Sequence, residues 1–193
     1  MLRSSLIKPY RKGCFLQLNP KLKNIINIVG FYIGWWGCAL GAANDMSYLG
    51  PTLMLVFLIA HFYLFVSSKR EIYLVLIICF LGTVIDTILF FSGSFVYAGA
   101  YSNELLIAPL WITAMWAGFA ATVNHSMSWL KDKWALMVIC GVVFGPAAFY
   151  TGEKFGAIDF SLSLLYSAMI IGFVYGVAMP GIYYLNGYLG LDE

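Results

Sequence analysis

Three places in this chain carry residues whose types could do chemistry. Asp86 stands in Thr83-Val-Ile-Asp86-Thr87, His61 in Ala60-His61-Phe62-Tyr63, and Asn124-His125-Ser126 closes a long apolar run. All three lie in or beside stretches of about membrane length. An ionisable residue at bilayer depth costs about 2.5–3.5 kcal/mol on insertion scales, so it normally faces a bundle interior or a wet cavity. For Asp86 this suits a proton- or cation-linked site, or an acceptor for a substrate. The structural alternative is a carboxyl bonded to a neighbouring helix. A histidine in a membrane segment is either a relay or ligand, or a satisfied packing residue. Asn124, His125 and Ser126, with Ser128, can cap a helix end and hold headgroup phosphates together with Lys131 and Lys133. Asn44, Asp45, Glu104, Glu153 and Asp159 read as loop residues.

The elements that must position these residues follow from composition. The chain has 193 residues, 62% hydrophobic and 10% charged. Soluble domains have about 45–50% apolar and about 25% charged residues, and a chain this short needs a large polar surface if it is to stay in water. The class expected is an all-α polytopic membrane protein. Six spans of about 20 residues fall at 24–43, 48–67, 72–91, 105–126, 134–150 and 162–187. Gly145-Pro146 is expected to bend the fifth. Residues 1–23 form a basic tail and 188–193 a short C-terminal one. The apolar run after the basic tail exceeds a signal-peptide core of roughly 7–15 residues. A cytoplasmic lead into the first span is expected, with a transit peptide as the alternative.

Charge placement sets the expected orientation. Arg3, Lys8, Arg11, Lys12, Lys21, Lys23, Lys69, Arg70, Lys131 and Lys133 fall on one side of the six spans, and Lys154 on the other. The positive-inside rule then puts both termini in the cytoplasm. The basic residues are scattered along span edges and form no nucleic-acid-reading module. With a rise of ~1.5 Å per residue, His61 is expected ~4–6 Å to the cytoplasmic side of the midplane. Asn124 and His125 are expected ~12–13 Å to that side, and Asp86 ~6 Å to the external side.

Small residues mark packing faces. Gly30, Gly34, Gly37 and Gly41 share one face of the first span, Ala114, Gly118 and Ala121 one of the fourth, and Ala168, Gly172 and Gly176 one of the sixth. Such faces let helices approach closely in lipid. Packing within the chain is expected, with a homodimer as the alternative. The halves also share a faint likeness: Trp36 to Asn44 aligns with Trp116 to Asn124, and Met46-Ser47-Tyr48-Leu49 with Met127-Ser128-Trp129-Leu130. A 3+3 inverted repeat, as in several transporter folds, would produce this.

Cofactors are not expected. Cys14, Cys38, Cys79 and Cys140 have no CxxC spacing, so neither a zinc site nor a disulfide framework is indicated. The two histidines are set aside as haem ligands because their expected depths disagree. HExxH, GxSxG, the P-loop and the Rossmann fingerprint are all missing from the sequence.

Phe31-Tyr-Ile-Gly34-Trp35-Trp36, Gly82…Asp86, and Ala121-Thr-Val-Asn124-His125-Ser126 followed by Trp129-Leu130 resemble a bacterial inner-membrane family. That family is catalogued only as a domain of unknown function. The resemblance covers 24–187. Genes of the family often neighbour genes for fatty-acid-modifying enzymes, so the resemblance implies a lipid-linked role but names no reaction, and it carries over no assigned catalytic residue. The favoured expectation from all these features is a small transporter or permease-like protein in the bacterial inner membrane. A membrane-embedded enzyme in fatty-acid or lipid modification, or a partner protein of such an enzyme, is the alternative, and a non-catalytic scaffold the next.

Overall fold

The structure, a computed structural model, describes residues 19–66, 68–102 and 105–191. Most of the basic tail and Glu104 therefore lie outside the described residues. Among the described residues there are six α-helices and one short ribbon: α1 (Pro20–Ala43), α2 (Leu49–Leu64), α3 (Arg70–Phe91), β1 (Phe95–Tyr97), α4 (Leu110–Ala120), α5 (Trp134–Lys154), β2 (Ile158–Phe160) and α6 (Leu164–Tyr188). α1, α3, α5 and α6, of 24, 22, 21 and 25 residues, are long and apolar enough to cross a membrane. α2 and α4, of 16 and 11 residues, are apolar but shorter. Phe80, Phe91, Leu165 and Phe173 are among many large apolar side chains on the outer surface. In water such a surface would be an aggregation liability; against lipid it is solvated.

α1 begins four residues before the apolar run. The Asn19 side chain accepts the Lys21 N–H at 3.0 Å, and Pro20 occupies the first helical position. Both are favoured at helix starts, because the first N–H groups have no helical acceptor. Glycines then let α1 and α2 pack closely. A Cβ on Gly30 would fall 2.6 Å from the Phe57 ring, on Gly34 2.7 Å from Met54, on Gly37 2.6 Å from Leu53, and on Gly41 2.8 Å from Met46 O. A Cβ on Gly118 of α4 would collide with Met54. On α6, Gly172 and Gly176 face Val142 of α5, while Gly141 and Gly145 of α5 face Tyr175.

The fourth apolar segment differs most from the sequence expectation. Residues 105–126 are not one helix; α4 covers only Leu110–Ala120. Pro109, with φ −66° and ψ 160°, holds an extended entry. At the other end the backbone folds into successive turns. Thr122 Oγ1 donates to Phe119 O at 2.6 Å, and the N–H groups of His125 and Met127 both donate to Thr122 O. Irregular backbone within a bilayer is tolerated only where protein satisfies it, and here the N–H groups of Thr122, Val123, His125, Ser126 and Met127 all have protein acceptors. α5 runs to Lys154, four residues past its expected end, with Pro146 accommodated inside it.

The connections after α3 and α5 pair with each other. β1 and β2 are antiparallel, with Phe95 opposite Phe160, Val96 opposite Asp159 and Tyr97 opposite Ile158. Gly93 (φ 71°), Gly99 (φ 68°) and Gly156 (φ 80°) turn the chain around this ribbon in the left-handed region, which glycine enters without strain.

Packing does not follow a 3+3 repeat. Such a repeat would match α1–α2 with α4–α5, and α2–α3 with α5–α6. Instead α1 packs on α2, α3 on α4, and α5 on α6, and α4 sits in the middle against α1, α2 and α3; α4 and α5 share no comparable face. The α5–α6 pair joins the rest through the ribbon, a Trp116–Tyr175 ring stack at 5.2 Å, and polar contacts at the opposite end. The start of α1, the start of α3 and the end of α6 all lie at that end, since Asn27 bonds Ser126, Asn124 bonds Asn186, and Arg70 bonds the carbonyls of Leu189 and Gly190.

Candidate functional site

Two separate polar clusters are buried in this apolar bundle. The first lies at the ribbon end. Asp86, 0% exposed, accepts the Tyr97 hydroxyl on Oδ1 at 2.9 Å and the Trp116 indole N–H on Oδ2 at 2.5 Å. Tyr97 comes from the ribbon and Trp116 from α4, so one carboxyl ties α3 to two other elements. Tyr175 stacks on Trp116 and closes that side. Donors fill both carboxyl oxygens, and apolar rings enclose them. This arrangement suits architecture.

The second cluster lies at the opposite end. His61 of α2 is 0% exposed, Glu71 in the first turn of α3 is 5% exposed, and His125 comes from the turns after α4. Glu71 Oε1 accepts the His125 Nε2–H at 2.7 Å and lies 3.4 Å from His61 Nε2. The two imidazole rings meet edge to face with centroids 4.8 Å apart. Each of the three residues offers a ligand atom, and these atoms all lie within 4.8 Å of one another. His125 is the most exposed, with 16% of its side chain accessible. Arg70, next to Glu71, turns away to the end of α6.

Asn27 of α1 braces this cluster. Its Oδ1 accepts from Ser126, at 2.6 Å from Oγ and 3.3 Å from the backbone N–H, and its Nδ2 donates to Ala121 O at 3.1 Å. These partners fix which way the amide points. Nδ2 therefore also faces His61 Nδ1, 3.3 Å away. An amide nitrogen only donates, so in the neutral ring Nδ1 carries the lone pair and Nε2 the proton. That Nε2 is buried without a hydrogen-bond partner among the described residues, with Glu71 Oε1 3.4 Å away.

Of the sequence candidates, the structure brings together His61, His125 and Ser126. Asn124 turns the other way and donates to Asn186 Oδ1 at 2.8 Å. Asp86 belongs to the other cluster. The depths that separated the two histidines in the sequence need correction. They assumed a continuous helix to Ser126, whereas the turns after Ala120 return His125 to the level of His61. Glu71 and Asn27 escaped sequence reasoning. Glu71 follows Lys69-Arg70 and reads as part of a charged flank, and Asn27 sits at the polar start of a span.

Fold and site together define a helical protein of membrane type, with a two-histidine, one-glutamate cluster at one end. A family model described as "Protein of unknown function (DUF2878)" matches residues 24–181, and the chain belongs to that family. Comparison with the curated proteins and with the solved structures gives no match.

Proposed function

We propose that this chain is a multi-pass protein of the bacterial inner membrane that acts as a membrane-embedded enzyme on a lipid-linked substrate. Its working residues are His61, Glu71 and His125. The observation that carries this is their convergence from three different segments onto one point of an apolar bundle. Burying a carboxylate and two imidazoles is costly, and stability alone would favour apolar packing there.

Lys21, Lys23, Lys69, Arg70, Lys131 and Lys133 lie at the same end as the cluster, against Lys154 at the other. The positive-inside rule makes the cluster end cytoplasmic. His125, the most accessible of the three with 16% of its side chain exposed, then stands near the membrane–water boundary, on the side from which a lipid headgroup or ester would approach. The gene neighbourhood implied by the resemblance, rich in fatty-acid-modifying enzymes, fits this substrate class. A carrier built on Asp86 has less support, because that carboxyl is enclosed and fully bonded.

The test is the lipid composition of cells with and without the protein. A changed acyl or headgroup species in the deletion strain, restored by the wild-type chain, is expected. An unchanged lipid composition under several growth conditions would contradict the proposal.

A further inference from the structure

We infer that His61, Glu71 and His125 bind a divalent transition-metal ion. This deepens the proposed function, since it rests on the same site. Two imidazoles and one carboxylate are a common ligand set for zinc and for non-haem iron. With bonds of ~2.0–2.1 Å, ligands around a tetrahedral zinc stand about 3.3–3.4 Å apart. His61 Nε2 and Glu71 Oε1 are already 3.4 Å apart. The His125–Glu71 contact of 2.7 Å would open slightly as the ion replaces the shared proton.

An independent observation points to the same ion. His61 Nε2 is buried, aims into the cluster and has no hydrogen-bond partner there. Coordination would satisfy it once the ring proton moves from Nε2 to Nδ1. Three protein ligands leave a fourth position, as in catalytic zinc sites, where the metal supplies Lewis acidity to a bound water or carbonyl oxygen. His125 is the most exposed of the three.

Asn27 tunes this site. A metal-bound His61 must carry its proton on Nδ1, which the Asn27 amide faces with its own N–H. Ligating histidines usually donate that proton to an acceptor, and changes at such partners shift metal affinity by about 10–100-fold. Asn27 therefore holds the affinity down without removing a ligand. Asn27→Asp supplies the missing acceptor, at the cost of the bond to Ala121 O.

The test uses the full chain purified in detergent without a polyhistidine tag. Zinc, iron, manganese and copper are measured per chain by mass spectrometry. The chelated protein is then titrated with zinc, and with cobalt(II) as a chromophore. The expected result is about one ion per wild-type chain, with a zinc-dependent rise in melting temperature. Glu71→Gln and His125→Ala should lose both while keeping wild-type helical content. Asn27→Asp should bind about 10–100-fold tighter. No stoichiometric binding by the wild type, or binding that the Glu71 and His125 variants retain, would overturn the metal. If the same variants still abolished a lipid phenotype, metal-free acid–base chemistry at Glu71–His125 would stand. Metal binding with no lipid phenotype would instead overturn the proposed function and leave the metal site in place.

Discussion

Glu71 Oε1 receives the Nε2–H of His125 at 2.7 Å across 54 residues of sequence, inside a bundle that exposes many large apolar side chains. The bond anchors the turns after α4 to the start of α3. His125→Ala removes the donor from a buried carboxylate, so a loss of about 1–3 kcal/mol is expected. Glu71→Ala should cost a similar amount, and the double variant less than the sum, with a coupling of about 0.5–3 kcal/mol. Thermal unfolding of the four proteins in one detergent checks this. Strict additivity would mean that the two side chains do not interact.

Asp86 should behave as an acceptor whose charge is dispensable. Asp86→Asn keeps an oxygen for the Trp116 N–H, and the Tyr97 hydroxyl can turn to accept the new amide proton. Stability close to wild type is expected. Asp86→Leu leaves two buried donors unpaired, at about 1–3 kcal/mol for each. If Asp86→Asn proved as damaging as Asp86→Leu in unfolding measurements, the charge itself would matter and the architectural role would be wrong.

Two glycines make a contrasting pair. A Cβ on Gly82 would run into the Trp116 indole, whose N–H holds Asp86. Gly82→Ala should therefore destabilise by about 1–3 kcal/mol through overpacking. Gly181 has open space around the same position, and alanine is the better helix former by up to about 1 kcal/mol. Gly181→Ala should be neutral or stabilising. Melting temperatures in the same opposite directions would support the packing described around α4.

Apolar run length and basic flanks are enough to read six helical segments and their alternation from the sequence. The end of α4 is not legible in that way, because Ala121, Thr122 and Val123 are as apolar as the helix before them. What stops the helix is backbone bonding to Thr122 and bracing by Asn27, a contact 94 residues distant at Ala121 and 99 at Ser126. The same limit hid the site. His61 and His125 are visible as rare residues, but their meeting depends on that unpredicted turn. Glu71 looks like a flanking charge until α3 is seen to start beside both rings. The Asp86 partners, Tyr97 and Trp116, carry no signal beyond being aromatic. The ribbon had a weak cue in Gly93, Gly99 and Gly156, which punctuate two short β-prone stretches.

The proposed orientation is open to labelling. Single cysteines in a background with the native four replaced should react with an impermeant maleimide from opposite sides. Position 131 should be protected in intact cells and labelled after permeabilisation. Position 154, at the exposed end of α5, should be labelled in intact cells. The reverse pattern would place the histidine–glutamate cluster on the external face.

The most direct measurement is complementation of the deletion strain by four chains expressed at equal levels: wild type, Glu71→Gln, His125→Ala and Asp86→Asn. The readout is the membrane lipid species that deletion alters. The expected result is restoration by wild type and Asp86→Asn, with Glu71→Gln and His125→Ala inactive although present in the membrane. Restoration by Glu71→Gln and His125→Ala, with failure of Asp86→Asn alone, would move the working site to the other end of the bundle and contradict the assignment.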